Sequence, residues 1–137
     1  MNQAPPAEPD VVYVAIGVVR AGNAYLVGQR GPDAPLPLCA EFPGGKCLPG
    51  EQPADCVRRE CLEETGIAVD VLGELERTIH EYPHGRLCLT FLLCRPCGAE
   101  QPRPPFRWVP ANELLNLPFP AANQPLLARL SRETACA

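Results

Sequence analysis

Three carboxylates within five residues, Glu60, Glu63 and Glu64, are the densest chemistry in this chain. On a helix their i, i+3, i+4 spacing puts them on one face, within an arc of roughly 100°. Like charges so spaced repel by about 0.2–0.5 kcal/mol per pair. A hard divalent cation with oxygen ligands would offset that cost, Mg²⁺ above all and Mn²⁺ as an alternative. Such ions keep waters and bridge phosphates, and they make a water more acidic, so that a neighbouring carboxylate can take its proton. The substrate that suits an acidic site loaded with such ions is a diphosphate linkage, and the reaction is its hydrolysis. The plain alternative is a solvated acidic helix face.

The helix that must carry these groups is marked at both ends. Pro53 suits the first helical position, where its missing N–H is no loss. Asp55 then falls in the first turn, where the helix dipole favours negative charge. Gly66 follows Thr65 and can take the left-handed cap. Gln52 is a poor N-cap. Ala54, Val57 and Cys61 recur at i, i+3, i+7 and give a narrow apolar stripe beside the acidic face. Asp55 with Arg59, and Arg59 with Glu63, can pair at i+4. Directly ahead, Gly44 and Gly45 let the backbone approach a ligand closely.

From Gly45 the residues read G-x5-E-x7-R-E-C-x-E-E-x-G-I. This resembles the complete signature box of the Nudix hydrolases, with Gly45, Glu51, Arg59, Glu60, Glu63, Glu64 and Gly66 at the fixed positions and Cys61 and Ile67 in the apolar ones. The resemblance implies that the Gly45 carbonyl, Glu60, Glu63 and Glu64 hold metal. It also implies that Glu60 is the leading candidate for general base, although relatives differ on which carboxylate serves. Glu51 would be a supporting acid and Arg59 would orient Glu60 or Glu63. Beyond the box, Gln29-Arg30, Glu41-Phe42-Pro43-Gly44-Gly45-Lys46 and Phe119-Pro-Ala-Ala-Asn123 are similar to the MutT-type branch, which cleaves nucleoside triphosphates to monophosphate and pyrophosphate. That similarity implies substrate roles for Arg30, Glu41, Phe42 and Asn123. It implies one for Arg86 through a turn that differs by one residue. The branch often adds a metal-binding Glu from the loop before the last strand; Glu100 is the acid there, at a different spacing from Trp108. Oxidised guanine nucleotides such as 8-oxo-dGTP and pyrimidine nucleotides such as CTP both fit this branch. ADP-ribose or a dinucleotide, or a non-catalytic nucleotide sensor, are the alternatives.

The rest of the chain is expected to position that unit. At 137 residues it reads as one domain over 11–137, behind a disordered tail over 1–10 rich in Pro and Ala. A net charge of −4 with no basic run speaks against a nucleic-acid polymer or a membrane surface as partner. No apolar run is long enough to span a bilayer, and the N-terminus has no signal-peptide pattern, so the cytoplasm is the expected compartment. A monomer or a homodimer fits this reading. Eight cysteines invite a disulfide, zinc or redox reading, but the expected cytosolic context argues against disulfides, and Cys94-Arg-Pro-Cys97 has no second pair or histidines to complete a zinc site. Most read as small apolar filling.

Strands are expected at 11–19, 24–29, 69–82 with a bend at Gly73, 87–95 and 106–109. A helical turn or two follows over 110–115, and a terminal helix runs from Gln124 or Pro125 to about Glu133 with Leu126, Leu127 and Leu130 on its apolar side. Gly31–Ala40 and the other Pro-rich stretches read as loops. The order suggests an α+β or α/β/α sandwich. The resemblance implies the Nudix fold, a mixed β-sheet sandwiched between helices.

Overall fold

The β-branched run at the start of the chain forms strand β1, Val11–Ala21, and the Gly22 turn returns it as β2, Ala24–Gln29. These and the elements below come from a computed structural model that describes residues 11–35, 37–83, 85–98 and 101–135. The expected tail over 1–10 lies outside the described residues, as does Glu100. Two short strands, β3 (Ala40–Glu41) and β4 (Gly44–Lys46), precede helix α1 (Pro53–Thr65). Then come β5 (Val69–Tyr82), β6 (Gly85–Pro96), β7 (Arg107–Pro110), a 3₁₀ turn over Ala111–Asn116, a second over Ala121–Asn123, and helix α2 (Gln124–Ala135).

The strands form a mixed sheet in the order β3-β2-β1-β6-β5, with β4 also on β1 and β7 also on β2. Its centre is a parallel ladder that runs unbroken from Val11 opposite Arg86 to Val19 opposite Cys94. β4 lies antiparallel to the middle of β1, with Gly45 opposite Ala15. The antiparallel β5–β6 ladder shifts register at Val71/Gly73 and again at Glu74/Glu76, which sets the bend of β5 at Gly73.

Alternation along the strands builds two cores. Ala15 and Val19 of β1, Leu26 of β2, and Leu92 and Cys94 of β6 pack with Cys56, Val57 and Cys61 of α1. Val18, Tyr25, Val27 and Phe91, one position out of step, pack with Leu126, Leu127 and Leu130 of α2 and with Leu114 and Phe119. Because both faces are covered, the central strands read as continuous apolar runs rather than alternating ones. The result is an α+β fold with helices on both sides of the sheet.

Helix α1 starts at Pro53 and ends on Gly66, which sits at φ 78° and returns its N–H to the Leu62 carbonyl at 3.0 Å. Gln52 makes no side-chain cap. The apolar stripe is wider than its sequence suggests: Cys56 and Thr65 are buried along with Val57 and Cys61, while Ala54 is only half-buried. Buried Thr65 is satisfied locally, its Oγ1 donating to the Cys61 carbonyl at 2.7 Å and accepting the Ile67 N–H at 3.0 Å. Three expectations need correction. β3 and β4 fall in a Gly- and Pro-rich stretch that reads as loop. Phe106 precedes β7 and is a core side chain. Asp55 pairs with Arg58 at 3.0 Å, not with Arg59, whose guanidinium is taken elsewhere.

Leu127 is fully buried at the centre of the second core. Leu127→Ala should lower stability by about 2–5 kcal/mol, read from urea unfolding with an unchanged slope. A loss below about 1 kcal/mol would mean that α2 does not seal this face.

Candidate active site

The box closes on itself through Arg59. Its Nε and Nη2 donate to the two oxygens of Glu51 at 2.9 Å each, a bidentate fork. Nη2 also reaches the Lys46 carbonyl at 3.2 Å. Nη1 takes Glu60 at 2.9 Å and Glu63 at 3.4 Å. The guanidinium beside Glu51 holds that carboxyl down to about 2, helped by the Leu48 N–H. Glu51 therefore stays charged through the physiological range and keeps the loop on the helix.

The two glycines of β4 are there for space. A side chain on Gly44 would run into the backbone of β1 at Ala15 and Ile16. On Gly45 it would come within 2.7 Å of the Glu60 carboxylate. The Glu60 head thus lies against the strand that offers the Gly45 carbonyl. Cys56 Sγ contacts that carbonyl at 3.5 Å, and burial pushes the thiol far up, so it stays a neutral donor. Glu64 accepts the Gly44 N–H at 2.8 Å. Burial raises Glu64 to about 7, and Glu60, Glu41 and Glu63 add to the rise against the pull of the Gly44 bond.

Could these groups hold a divalent cation? The donors on offer are carboxylates and a carbonyl, the set that Mg²⁺ and Mn²⁺ prefer. Burial and neighbouring negative charge act on Glu64 in the way a cation would relieve. Among the described residues no three acidic, His or Cys side chains already converge as ligands. Arg59 takes the heads of Glu60 and Glu63 instead. The Glu63 side chain is 59% exposed, so its head has room to turn. The residue types fit the group; Glu60, Glu63, Glu64 and the Gly45 carbonyl would hold it.

On the face shared with α2, a cleft of about 470 Å³ opens where the helix stops covering the sheet. It brings together Arg30, Glu41, Phe42, Gly45 and Asn123, and it reaches Gly44. Arg30 lies 3.3 Å from Glu41 through Nε, ion-pair range without hydrogen-bond alignment, and Nη1 donates to the Pro35 carbonyl at 2.9 Å. Burial raises the Glu41 carboxyl against the lowering effect of Arg30. Phe42 is only 6% exposed and packs at 4.9 Å against the tilted Phe119 ring, so it belongs mainly to the core while lining the cleft. Asn123 is half-buried in the second 3₁₀ turn.

Arg86 does not line this cleft; it sits at the β5–β6 turn, 3.1 Å from Glu81. The sequence reading passed over His80 and Tyr82, which line the cleft from β5. Their signal was present: two ring-bearing residues two apart, hence on one strand face, just before the Pro83 turn. Cys94 is buried and Cys97 exposed, which fits packing better than a shared metal.

The NUDIX domain family matches residues 14–129. The chain is 34% identical over 127 residues to an 8-oxo-dGTP diphosphatase of Escherichia coli, covering 88% of this chain and 97% of that protein. It is 35% identical over 131 residues to an 8-oxo-dGTP diphosphatase of Haemophilus influenzae, covering 90% and 94%. Among solved structures it superposes with a TM-score of 0.71 on a DNA mismatch repair protein MutT of the Nudix hydrolase family from methicillin-resistant Staphylococcus aureus. That pair is 31% identical, with 90% of this chain and 97% of that one covered. The MutT protein of Methanosarcina mazei, at 21% identity, shares the fold with a TM-score of 0.73 over 93% and 97%.

The raised Glu64 carboxyl carries a stability consequence. Without metal, the folded protein keeps a proton on Glu64 up to about 7, whereas the unfolded chain releases it near 4.5. The folded state therefore loses stability as pH rises from 4.5 through 7. Glu64→Gln removes this dependence and keeps an acceptor for Gly44. In EDTA the variant should melt higher than wild type by about 3–5 °C at pH 8, allowing for partial exposure. The difference should shrink at pH 4.5. A gap that stays constant with pH would place the Glu64 proton elsewhere.

Proposed function

The chain belongs to the NUDIX domain family and is a Nudix hydrolase acting on a phosphoanhydride; from that premise we propose that it hydrolyses a nucleoside triphosphate, of the 8-oxo-dGTP or dGTP kind or the CTP kind, to monophosphate and pyrophosphate with Mg²⁺. Such an activity would clear damaged nucleotides from the pool. The observation that carries the reading is the continuity of cleft and box. Arg30, Glu41 and Asn123 line a cavity whose inner wall is Gly44–Gly45, and on the other side of those glycines sit Glu60 and Glu64. A base held in the cleft sends its phosphates toward the acidic helix. The names of the E. coli and H. influenzae relatives, both 8-oxo-dGTP diphosphatases, favour the oxidised guanine nucleotide.

Each side chain then has a task. Asn123 offers an amide to the edge of a purine, and Glu41, inclined to hold a proton, can donate as well as accept. Arg30 can leave Glu41 for a phosphate, its two neighbours being a weakly aligned carboxylate and a carbonyl. Bound divalent cations supply neutralisation of the phosphate charge and a more acidic water. Glu60 takes the proton of the attacking water as the P–O–P bond breaks and pyrophosphate leaves, and Arg59 keeps the Glu60 head in place until then. Glu63 and Glu64 hold charge without moving a proton in this step.

A panel of nucleotides assayed with Mg²⁺ and with EDTA tests the proposal. Pyrophosphate release from 8-oxo-dGTP or a related triphosphate, abolished by EDTA, is expected. Monophosphate release from ADP-ribose instead would overturn the substrate assignment. Glu60→Gln should lower kcat by about 10²–10⁴ while the far-UV spectrum and melting point stay near wild type; near-normal turnover would remove Glu60 from its role.

A further inference from the structure

The last turn of α1 carries Glu63 and Glu64 and no basic residue. This is the wrong end of a helix for negative charge, and its last carbonyls need donors from outside the helix, of which Gly66 supplies one to Leu62. The missing cation arrives from a segment 40 residues further along the chain. Arg103, between β6 and β7, donates from Nη1 to the Glu63 carbonyl at 3.1 Å and from Nη2 to the Leu62 carbonyl at 3.3 Å. Its own backbone N–H donates to the Thr65 carbonyl at 2.9 Å. Gly66 makes room for it: a Cβ there would lie 3.0 Å from Arg103 Nε. The glycine of the box thus serves both the helix cap and the seat of this guanidinium.

We propose that Arg103 is a positioning residue of the metal-binding helix, fixing through the Leu62 and Glu63 carbonyls the backbone from which Glu63 and Glu64 meet a divalent cation. The inference rests on the reading of this helix as the cation site. Glu63 shows why the backbone matters. Its head is exposed and held by a 3.4 Å contact to Arg59, whereas its carbonyl is gripped at 3.1 Å. The head can turn, while the backbone it turns from is braced by Arg103. A lysine would not replace the arginine fully, since one ammonium cannot span two carbonyls in the fixed geometry of a fork.

The test compares wild type, Arg103→Gln and Arg103→Lys as full chains. Mn²⁺ alone, without nucleotide, is titrated by calorimetry, and amide hydrogen exchange over residues 62–67 is followed in EDTA. Arg103→Gln should bind Mn²⁺ about tenfold more weakly and exchange faster in that turn, with Arg103→Lys in between. The Mg²⁺ midpoint for hydrolysis should move in the same direction. A brace with no bearing on the site would lower the melting point and leave Mn²⁺ affinity unchanged; that result, or unaltered exchange over 62–67, overturns the proposal. If wild type takes up Mn²⁺ yet cleaves no nucleoside triphosphate, the substrate reading fails while the Mn²⁺ titration still decides Arg103.

Discussion

Everything at the acidic end of this molecule depends on one guanidinium. Arg59 lies among Glu51, Glu60 and Glu63 and bonds all three. Its double bond to Glu51 is the strongest of these, both by geometry and by the low value to which it holds that carboxyl. The pair ties the loop over residues 47–52 back to the helix. Without it three acids would crowd one and a half turns of the helix, with Glu51 beside them and no positive charge among them. Because Arg59 also touches the Lys46 carbonyl, the strand presenting Gly45 is fixed by the same group. The loop, the Gly45 strand and the heads of Glu60 and Glu63 are in this way held by one side chain.

The second constraint is the two-sidedness of the sheet. β1 gives Ala15 and Val19 to one core and Val18 to the other, and it gives Val14 and Ile16 to the cleft. α2 covers one end of its face and leaves the other end bare. The cleft and the carboxylates of α1 therefore sit on different faces, and β4 is the place where they touch. Two side chains smaller than any others are needed there, because β1 presses on Gly44 and the Glu60 head presses on Gly45.

How far the sequence alone reached follows from where its information is local. Helix α1 was legible because Pro53 and Gly66 mark its ends by their own backbone preferences, although Gln52, a poor N-cap, left the exact start open. The central strands were legible because their apolar runs are long. β3 and β4 were not: each is two or three residues of Ala, Glu, Gly and Lys, and only the neighbouring strand makes them strands. The site divides in the same way. Glu60, Glu63 and Glu64 share a helix, so their spacing is their geometry. The partners of Arg59 were half legible, since Glu63 is a helical neighbour and Glu51 lies across a loop. Arg103 could not be found by spacing, because its bonds run to backbone carbonyls that any sequence would offer. Arg86 resembled a substrate contact in a turn, but the ladder turns it toward Glu81.

The parallel ladder at the centre has a kinetic meaning. β1 is made first, yet its longest partner is β6, and the ladder joins residue 11 to residue 86. Local hairpins, β1 with β2 and β5 with β6, can close early because their loops are short. The central pairing must wait for a long closure, and such topologies fold slowly. Until it closes, β1 has one side unpaired and α1 has only part of its core, without Leu92 and Cys94 of β6. The cleft is lined by β1 and β6 together, and α1 packs across the same two strands, so the site is complete only once that long closure has been made.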